Sequence, residues 1–262
     1  MLEERKQKEI EYYERQAENW MGDNSEEKWE GDFEGFNSKI LASYRFCYVW
    51  LKNNCSGKKV LDYGCGNGIH SVFLAKCGAQ VVGIDLAEKQ IEIARDRVKL
   101  EGLEEKTSFL IRDCEKTEFP DNSFDIVFDG GTFSSLDIKK VLPEIARILK
   151  KNGILIGIET LGHNPIANLK RKLNKISGKR TGWAAEHILR LDDLETAKNY
   201  FNKIEVHFFH PISFLALPFL GLPLGKFLLK LGEQLDKILL LFPFLRKLSF
   251  KAVFIFSEPK DI

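Results

Sequence analysis

Val60-Leu61-Asp62-Tyr63-Gly64-Cys65-Gly66-Asn67-Gly68 is the stretch from which the fold is read. An apolar run ends on an acidic residue, and glycines then occupy alternate positions. The run reads as a buried strand. Glycines just past a strand end let the backbone pass close to a ligand, because side chains at Gly64 and Gly66 would fill the ligand's space or forbid the turn.

Working outward, the sequence alternates short β-branched runs with helical patterns, the signature of βαβ units and a mostly parallel sheet. Strands are expected at Lys59 to Tyr63, Gln80 to Ile84, Thr107 to Ile111, Phe124 to Phe128 and Ile154 to Glu159, followed by Ile204 to Phe209 and Ala252 to Phe256. Helical spacing runs from Gly68 to Cys77, Ala87 to Leu100, Ile138 to Lys150 and Leu191 to Tyr200. Gly78, Gly102 and the pair Asn152-Gly153 supply stops for the first three. The expected fold is α/β, a doubly wound, seven-stranded, mostly parallel sheet. The chain divides into an N-terminal helical cover (1–55), an α/β core (56–210), an apolar helical insertion (211–249) and the last strand with its tail (250–262).

Charges nearly cancel at +1, so no global field would hold the protein on nucleic acid or on an anionic membrane. Five cysteines, with no C-x-x-C pair and no zinc-ligand grouping with histidine, read as reduced thiols in a cytoplasmic protein. No metal site is expected.

The glycine spacing is G-x-G-x-G rather than the G-x-G-x-x-G of a pyrophosphate-binding turn, which favours an amino-acid-bearing nucleoside over a dinucleotide. The stretch resembles motif I of the class I S-adenosylmethionine-dependent methyltransferases. Further matches to that family are Phe119-Pro120-Asp121-Asn122-Ser123-Phe124-Asp125 before the fourth strand and Leu149-Lys150-Lys151-Asn152-Gly153 before the fifth. Within the family the likeness is to the generic small-molecule branch, including the quinone-biosynthesis methyltransferases. It implies that Asp62, Gly64, Cys65, Gly66 and Gly68 surround the methionine part of S-adenosylmethionine. Asp85, with Leu86 and Gln90 nearby, would grip the ribose; Asp85 could also simply cap the next helix. Asp113 and the backbone of Cys114 would meet the adenine, and Asp129 and Gly130 would lie where cofactor and acceptor meet. Tyr12-Tyr13-Glu14-Arg15-Gln16-Ala17-Glu18-Asn19-Trp20 resembles the branch's N-terminal lid helix, which singles out Tyr13 and Trp20.

The resemblance implies methyl transfer to a small or lipid-like acceptor. The Asn/Asp-Pro-Pro-Tyr/Phe signature of many amino methyltransferases is absent after the fourth strand, which disfavours nucleic-acid bases and points to oxygen, with nitrogen and carbon left open. Candidate bases follow the fifth strand: Glu159, His163, Glu186 and His187. Rival readings are a nicotinamide-dependent oxidoreductase, disfavoured by the glycine spacing, and a non-catalytic cofactor-binding or membrane-associating protein.

A basic stretch, Lys170-Arg171-Lys172 with Lys175, Lys179 and Arg180, is either a solvated face or a contact for phosphate or anionic lipid. The run Ile212 to Leu224, the first part of the segment 211–245, is too short and too interrupted by proline to span a bilayer. From Gly225 the chain forms an amphipathic helix with Phe227, Leu228, Leu231, Leu235, Ile238 and Leu239 on one broad face. Three readings follow: a cap packed on the sheet, a pocket wall, or a peripheral membrane contact.

Overall fold

The computed structural model describes residues 3–22, 41–176 and 181–260. Of the basic stretch, Lys179 and Arg180 lie outside the described residues, as do the side chains of Lys170 and Lys175. Seven strands form one sheet: β1 Lys59–Tyr63, β2 Gln80–Asp85, β3 Thr107–Ile111, β4 Phe124–Asp129, β5 Leu149–Thr160, β6 Phe201–Phe209 and β7 Lys251–Pro259. Their order is β3-β2-β1-β4-β5-β7-β6. The first five are parallel, and β7 runs antiparallel to both β5 and β6. The α/β, doubly wound, mostly parallel architecture expected from the sequence is the one observed.

Strand alternation builds a core on each face of the sheet. Val60, Ile126, Ile156 and Val253 point to one core, shared with α2 (Ala42–Asn54) and α3 (Ile69–Lys76). Leu61, Val127, Leu155 and Phe254 point to the other, where α5 (Ile138–Ile148) lays down Val141, Leu142 and Ile145. The remaining helices are α1 (Glu4–Gly22), α4 (Glu88–Leu100), α6 (Pro165–Ile176), α7 (Gly182–Glu186), α8 (Leu191–Thr196) and α9 (Gly225–Leu239). None of the described helices is long and apolar enough to cross a membrane.

Strands β5, β6 and β7 are longer than the sequence reading, and two helices are cut short by them. The helix expected to reach Lys150 ends at Ile148, because Leu149 is buried and pairs with Phe124 as the first residue of β5. A register shift between Phe124 and Ile126 absorbs the extra residues. The helix expected over Leu191 to Tyr200 breaks into α8 and a 3₁₀ turn at Ala197–Asn199, since Phe201 already pairs with Pro259 in the sheet.

The segment between β6 and β7 carries α9 flanked by 3₁₀ turns at Ser213–Phe219 and Pro243–Leu248. Here α9 is turned opposite to the cap reading. Its inward residues are Gly225, Leu229 and Asp236, with Gly232 so close to Ser213 that a Cβ would lie 2.9 Å from it. Phe227, Leu228, Leu231, Leu235 and Ile238 are exposed. The cause lies in the acids. Asp236 accepts hydrogen bonds from the Ile212 and Ser213 N–H groups, and Glu233 accepts one from Ala42. Buried carboxylates demand such donors, so they claim the inner face.

Candidate active site

β1, β2 and β4 end together where the strand order reverses, the switch point at which open α/β sheets bind ligands. A cavity of about 350 Å³ lies there. It is lined by the turn Gly64–Asn67, by Asp85, Leu86, Ala87 and Gln90 after β2, by Asp113 and Cys114 after β3, and by Gly130–Thr132 after β4. From α1 come Lys6, Glu9, Ile10, Tyr13 and Gln16.

The three turn glycines have positive φ (+70°, +49° and +76°), a conformation side chains resist, but they serve different ends. A Cβ on Gly64 would strike the Thr132 side chain at 2.4 Å, and one on Gly68 would strike Ala94 at 2.7 Å. These two permit packing. A Cβ on Gly66 would meet only the Gln90 Oε1 at 3.9 Å, so what that glycine keeps open is the cavity itself.

Asp85 organises the turn. One carboxylate oxygen accepts the Gly66 N–H at 3.0 Å and the other the Ala87 N–H at 2.9 Å. The local bond two residues ahead that a capping role predicts is therefore made, while lone pairs remain for a ligand at the cavity wall. Burial raises its pKa. Asp62 lies behind the turn, buried and outside the lining. It accepts the Ser71 hydroxyl at 2.5 Å, and its other oxygen accepts no hydrogen bond. Burial pushes Asp62 up to about 7.

Asp129 is also buried and outside the lining. It accepts the Thr132 and Gly131 N–H groups at 2.8 and 3.3 Å, shaping the bend that exposes Gly130. Burial and the charge of Glu159 hold its carboxyl well above the usual range. Cys114 is buried, and burial likewise pushes its thiol far up, which leaves it a poor nucleophile.

Ion pairs fasten α1 over the cavity. Arg5 meets Glu115 at 2.5 Å, and Lys6 meets Asp113 at 2.6 Å and Glu115 at 2.9 Å. The Gln90 amide donates to the Tyr13 carbonyl at 3.0 Å, and the Lys89 N–H donates to Glu14 at 3.1 Å. Tyr13 lines the cavity; Trp20 does not, and lies 5.6 Å from the Arg97 guanidinium. The Lys6–Asp113 pair was invisible in the sequence, which offered Asp113 for a ligand amino group alone.

None of the candidate bases read from the sequence lines this cavity. His163 Nε2 accepts the Leu191 N–H at the start of α8 at 3.2 Å. His187 is exposed and stacked on Trp183, with ring centroids 3.4 Å apart, and Glu186 is exposed. Glu159 is buried at the end of β5. They follow the right strand in sequence, yet the chain leaves the sheet edge before reaching His163.

The histidine that does line the cavity is His70, on the first turn of α3. Its Nδ1 lies 2.5 Å from the Tyr48 hydroxyl on α2, and its Cδ2–Nε2 edge abuts Gly130, where a Cβ would sit 2.8 Å away. Burial, with Lys251 nearby, lowers its pKa to about 4, so it is neutral at physiological pH. The only available signal was its place two residues after Gly68, because its partner Tyr48 is 22 residues distant.

Residues 61–157, which hold the glycine turn and run from β1 into β5, match the model of the methyltransferase domain family. The chain is 41% identical over 102 residues to the methyltransferase GfsG of Streptomyces halstedii, covering 38% of this chain and 37% of that protein. To the ubiquinone biosynthesis O-methyltransferase of Bordetella bronchiseptica it is 36% identical over 155 residues, 54% of this chain and 56% of the relative. The chain thus spans little more than half, or less, of these curated relatives. Over 95% of its length it shares a fold with 98% of the geranyl diphosphate C-methyltransferase of Streptomyces coelicolor A3(2), with a TM-score of 0.61 at 15% identity.

The residues present fit S-adenosylmethionine. Gly66 leaves room that a Cβ would fill, Asp85 retains acceptor capacity for vicinal hydroxyls, and Asp62 holds an unmatched oxygen behind the turn.

Proposed function

We propose that the protein methylates a small or lipid-like organic acceptor at oxygen, using S-adenosylmethionine held by the Gly64–Gly68 turn and Asp85. The observation that carries this reading is the cavity at the switch point, with the open Gly66 position on one side and neutral His70 against Gly130 on the other. When bound, the cofactor supplies an electrophilic methyl group on a sulfonium centre.

The chain's own residues then have three tasks: to align the acceptor, to exclude water and to take a proton. Tyr13 and its neighbours on α1 cover the cavity. His70 is the proton acceptor in the tautomer whose Nδ1–H donates to the Tyr48 oxygen, leaving the Nε2 lone pair at the cavity. A weak base suffices, because a hydroxyl becomes strongly acidic as its oxygen bonds to carbon.

We also assign 211–245 to peripheral contact with a membrane from the cytoplasmic side, supported by the exposed face of Phe227, Leu228, Leu231, Leu235 and Ile238. Such a contact would bring a lipid-like acceptor to the core.

Calorimetry with S-adenosylhomocysteine tests the cofactor site, and transfer of labelled methyl to aqueous and lipid fractions of a cell extract tests turnover. The expected result is binding together with a labelled product that His70→Ala greatly diminishes while cofactor affinity persists. Binding without any labelled product would favour a non-catalytic role. Co-sedimentation with vesicles that survives Leu231→Glu/Leu235→Glu would remove the membrane contact.

A further inference from the structure

A second cavity, about 820 Å³ and more than twice the volume of the first, lies between the start of α2, the carboxyl end of β6 and α9. Its lining joins two chemistries. Phe208, Phe209, Leu220 and Leu240 give apolar surface, while Lys226, Lys230 and Lys237 come from one flank of α9. At about 3.6 residues per turn these lysines fall within about 40° of one another around the helix. They stand between the inward acids and the outward apolar face.

The acids of this cavity are already committed. Glu233 accepts the Ala42 N–H at 2.9 Å and pairs with Arg45, and Asp236 accepts the Ile212 N–H at 2.9 Å. His210, between the Ser213 and Ser43 hydroxyls at 2.7 and 3.0 Å, is held neutral by burial and nearby cations, with its pKa lowered to about 3. Among the described residues, no carboxylate lies within ion-pair distance of Lys226, Lys230 or Lys237. Three uncompensated ammonium groups beside a trough of Phe and Leu suit a ligand that is anionic at one end and greasy at the other.

We propose that this cavity binds a phosphate-bearing amphiphile, its phosphate on the Lys226–Lys230–Lys237 stripe and its hydrocarbon chain along Phe208, Phe209 and Leu220. A bilayer phospholipid and a soluble phosphorylated lipid present the same chemistry. The site is independent of methyl transfer, although α2 links the two cavities: Ala42 and Arg45 line this one, and Tyr48, about 9 Å along the helix from Ala42, holds His70 at the other.

Titration calorimetry of the full chain tests the site, with dihexanoyl phosphatidate below its micelle concentration and glycerol phosphate as the chainless control. Phosphatidate should bind at least about tenfold tighter than glycerol phosphate, and Lys226→Glu/Lys230→Glu should weaken it about tenfold or more. Unchanged affinity for S-adenosylhomocysteine or an unchanged circular dichroism spectrum shows that the variant is folded. Leu231→Glu, on the outward face, should leave monomer binding intact. If wild type binds phosphatidate vesicles and Leu231→Glu loses only the vesicles, the ligand is drawn from a bilayer; if wild type binds monomers alone, it is a soluble amphiphile. Equal affinity for glycerol phosphate, indifference to the lysine reversals, or no binding of phosphatidate would each overturn the proposal, whatever becomes of the methyltransferase or membrane readings.

Discussion

Replacing Asp85 with alanine removes the acceptor of two backbone hydrogen bonds, from Gly66 at 3.0 Å and Ala87 at 2.9 Å, together with the carboxylate that faces the cavity. A hydrogen bond to a charged group contributes about 1.5–3 kcal/mol. Loss of one such grip on the ribose hydroxyls therefore corresponds to roughly a 10- to 100-fold weaker complex. The freed Gly66 N–H also lets the turn drift from the geometry that keeps the cavity open, so the upper part of the range is expected. Asp85→Asn retains a neutral oxygen for one N–H and should fall between wild type and Asp85→Ala. Calorimetric titration with S-adenosylhomocysteine measures both, with thermal melts to confirm folding. If Asp85→Ala binds within twofold of wild type while remaining folded, the ribose assignment is wrong and Asp85 serves the turn alone.

Gly66→Ala and Gly68→Ala should separate binding from stability. The first adds only left-handed strain, about 1–2 kcal/mol, yet should abolish cofactor affinity; the second adds the Ala94 collision to similar strain and should cost about 2–5 kcal/mol in chemical denaturation. Asp62 offers a pH test. Its folded pKa of about 7 exceeds its unfolded value, so its protonated form stabilises the fold fully below about pH 4, and that contribution is lost as pH rises through 7. Asp62→Asn should flatten the fall of Tm between about pH 4 and 7; parallel slopes in the two proteins would refute this. Arg5→Ala/Lys6→Ala, which strips the pairs to Glu115 and Asp113, should speed proteolysis within α1 and weaken cofactor binding several-fold, with wild type approaching the variant at high salt.

The backbone of the site was legible locally. An apolar strand, a glycine turn and an acid at the end of the next strand are contiguous signals, and each reports a conformation that neighbouring residues alone can impose. The candidate bases were not legible in this way. His163 and His187 follow the right strand but leave the sheet edge, whereas His70 reaches it because Gly68 starts α3 at the cavity and Tyr48 of α2 clamps the ring. Asp113 shows the same limit from the other side: its partner Lys6 is 107 residues away.

The amphipathic pattern of α9 was likewise plain in the residues, but which face turns inward was not. Periodicity states that a helix has two faces; it carries no record of what each will meet. That outcome was set by donors distant in the chain, the N–H groups of Ala42, Ile212 and Ser213, which drew Glu233 and Asp236 inward and left the leucines outside. The strand positions, the glycine turn and the helix periodicity follow from short-range sterics and spacing and were settled by the sequence. The identity of the cavity histidine, the clamp on α1 and the orientation of α9 depend on pairings across the fold, and only the tertiary structure could decide them.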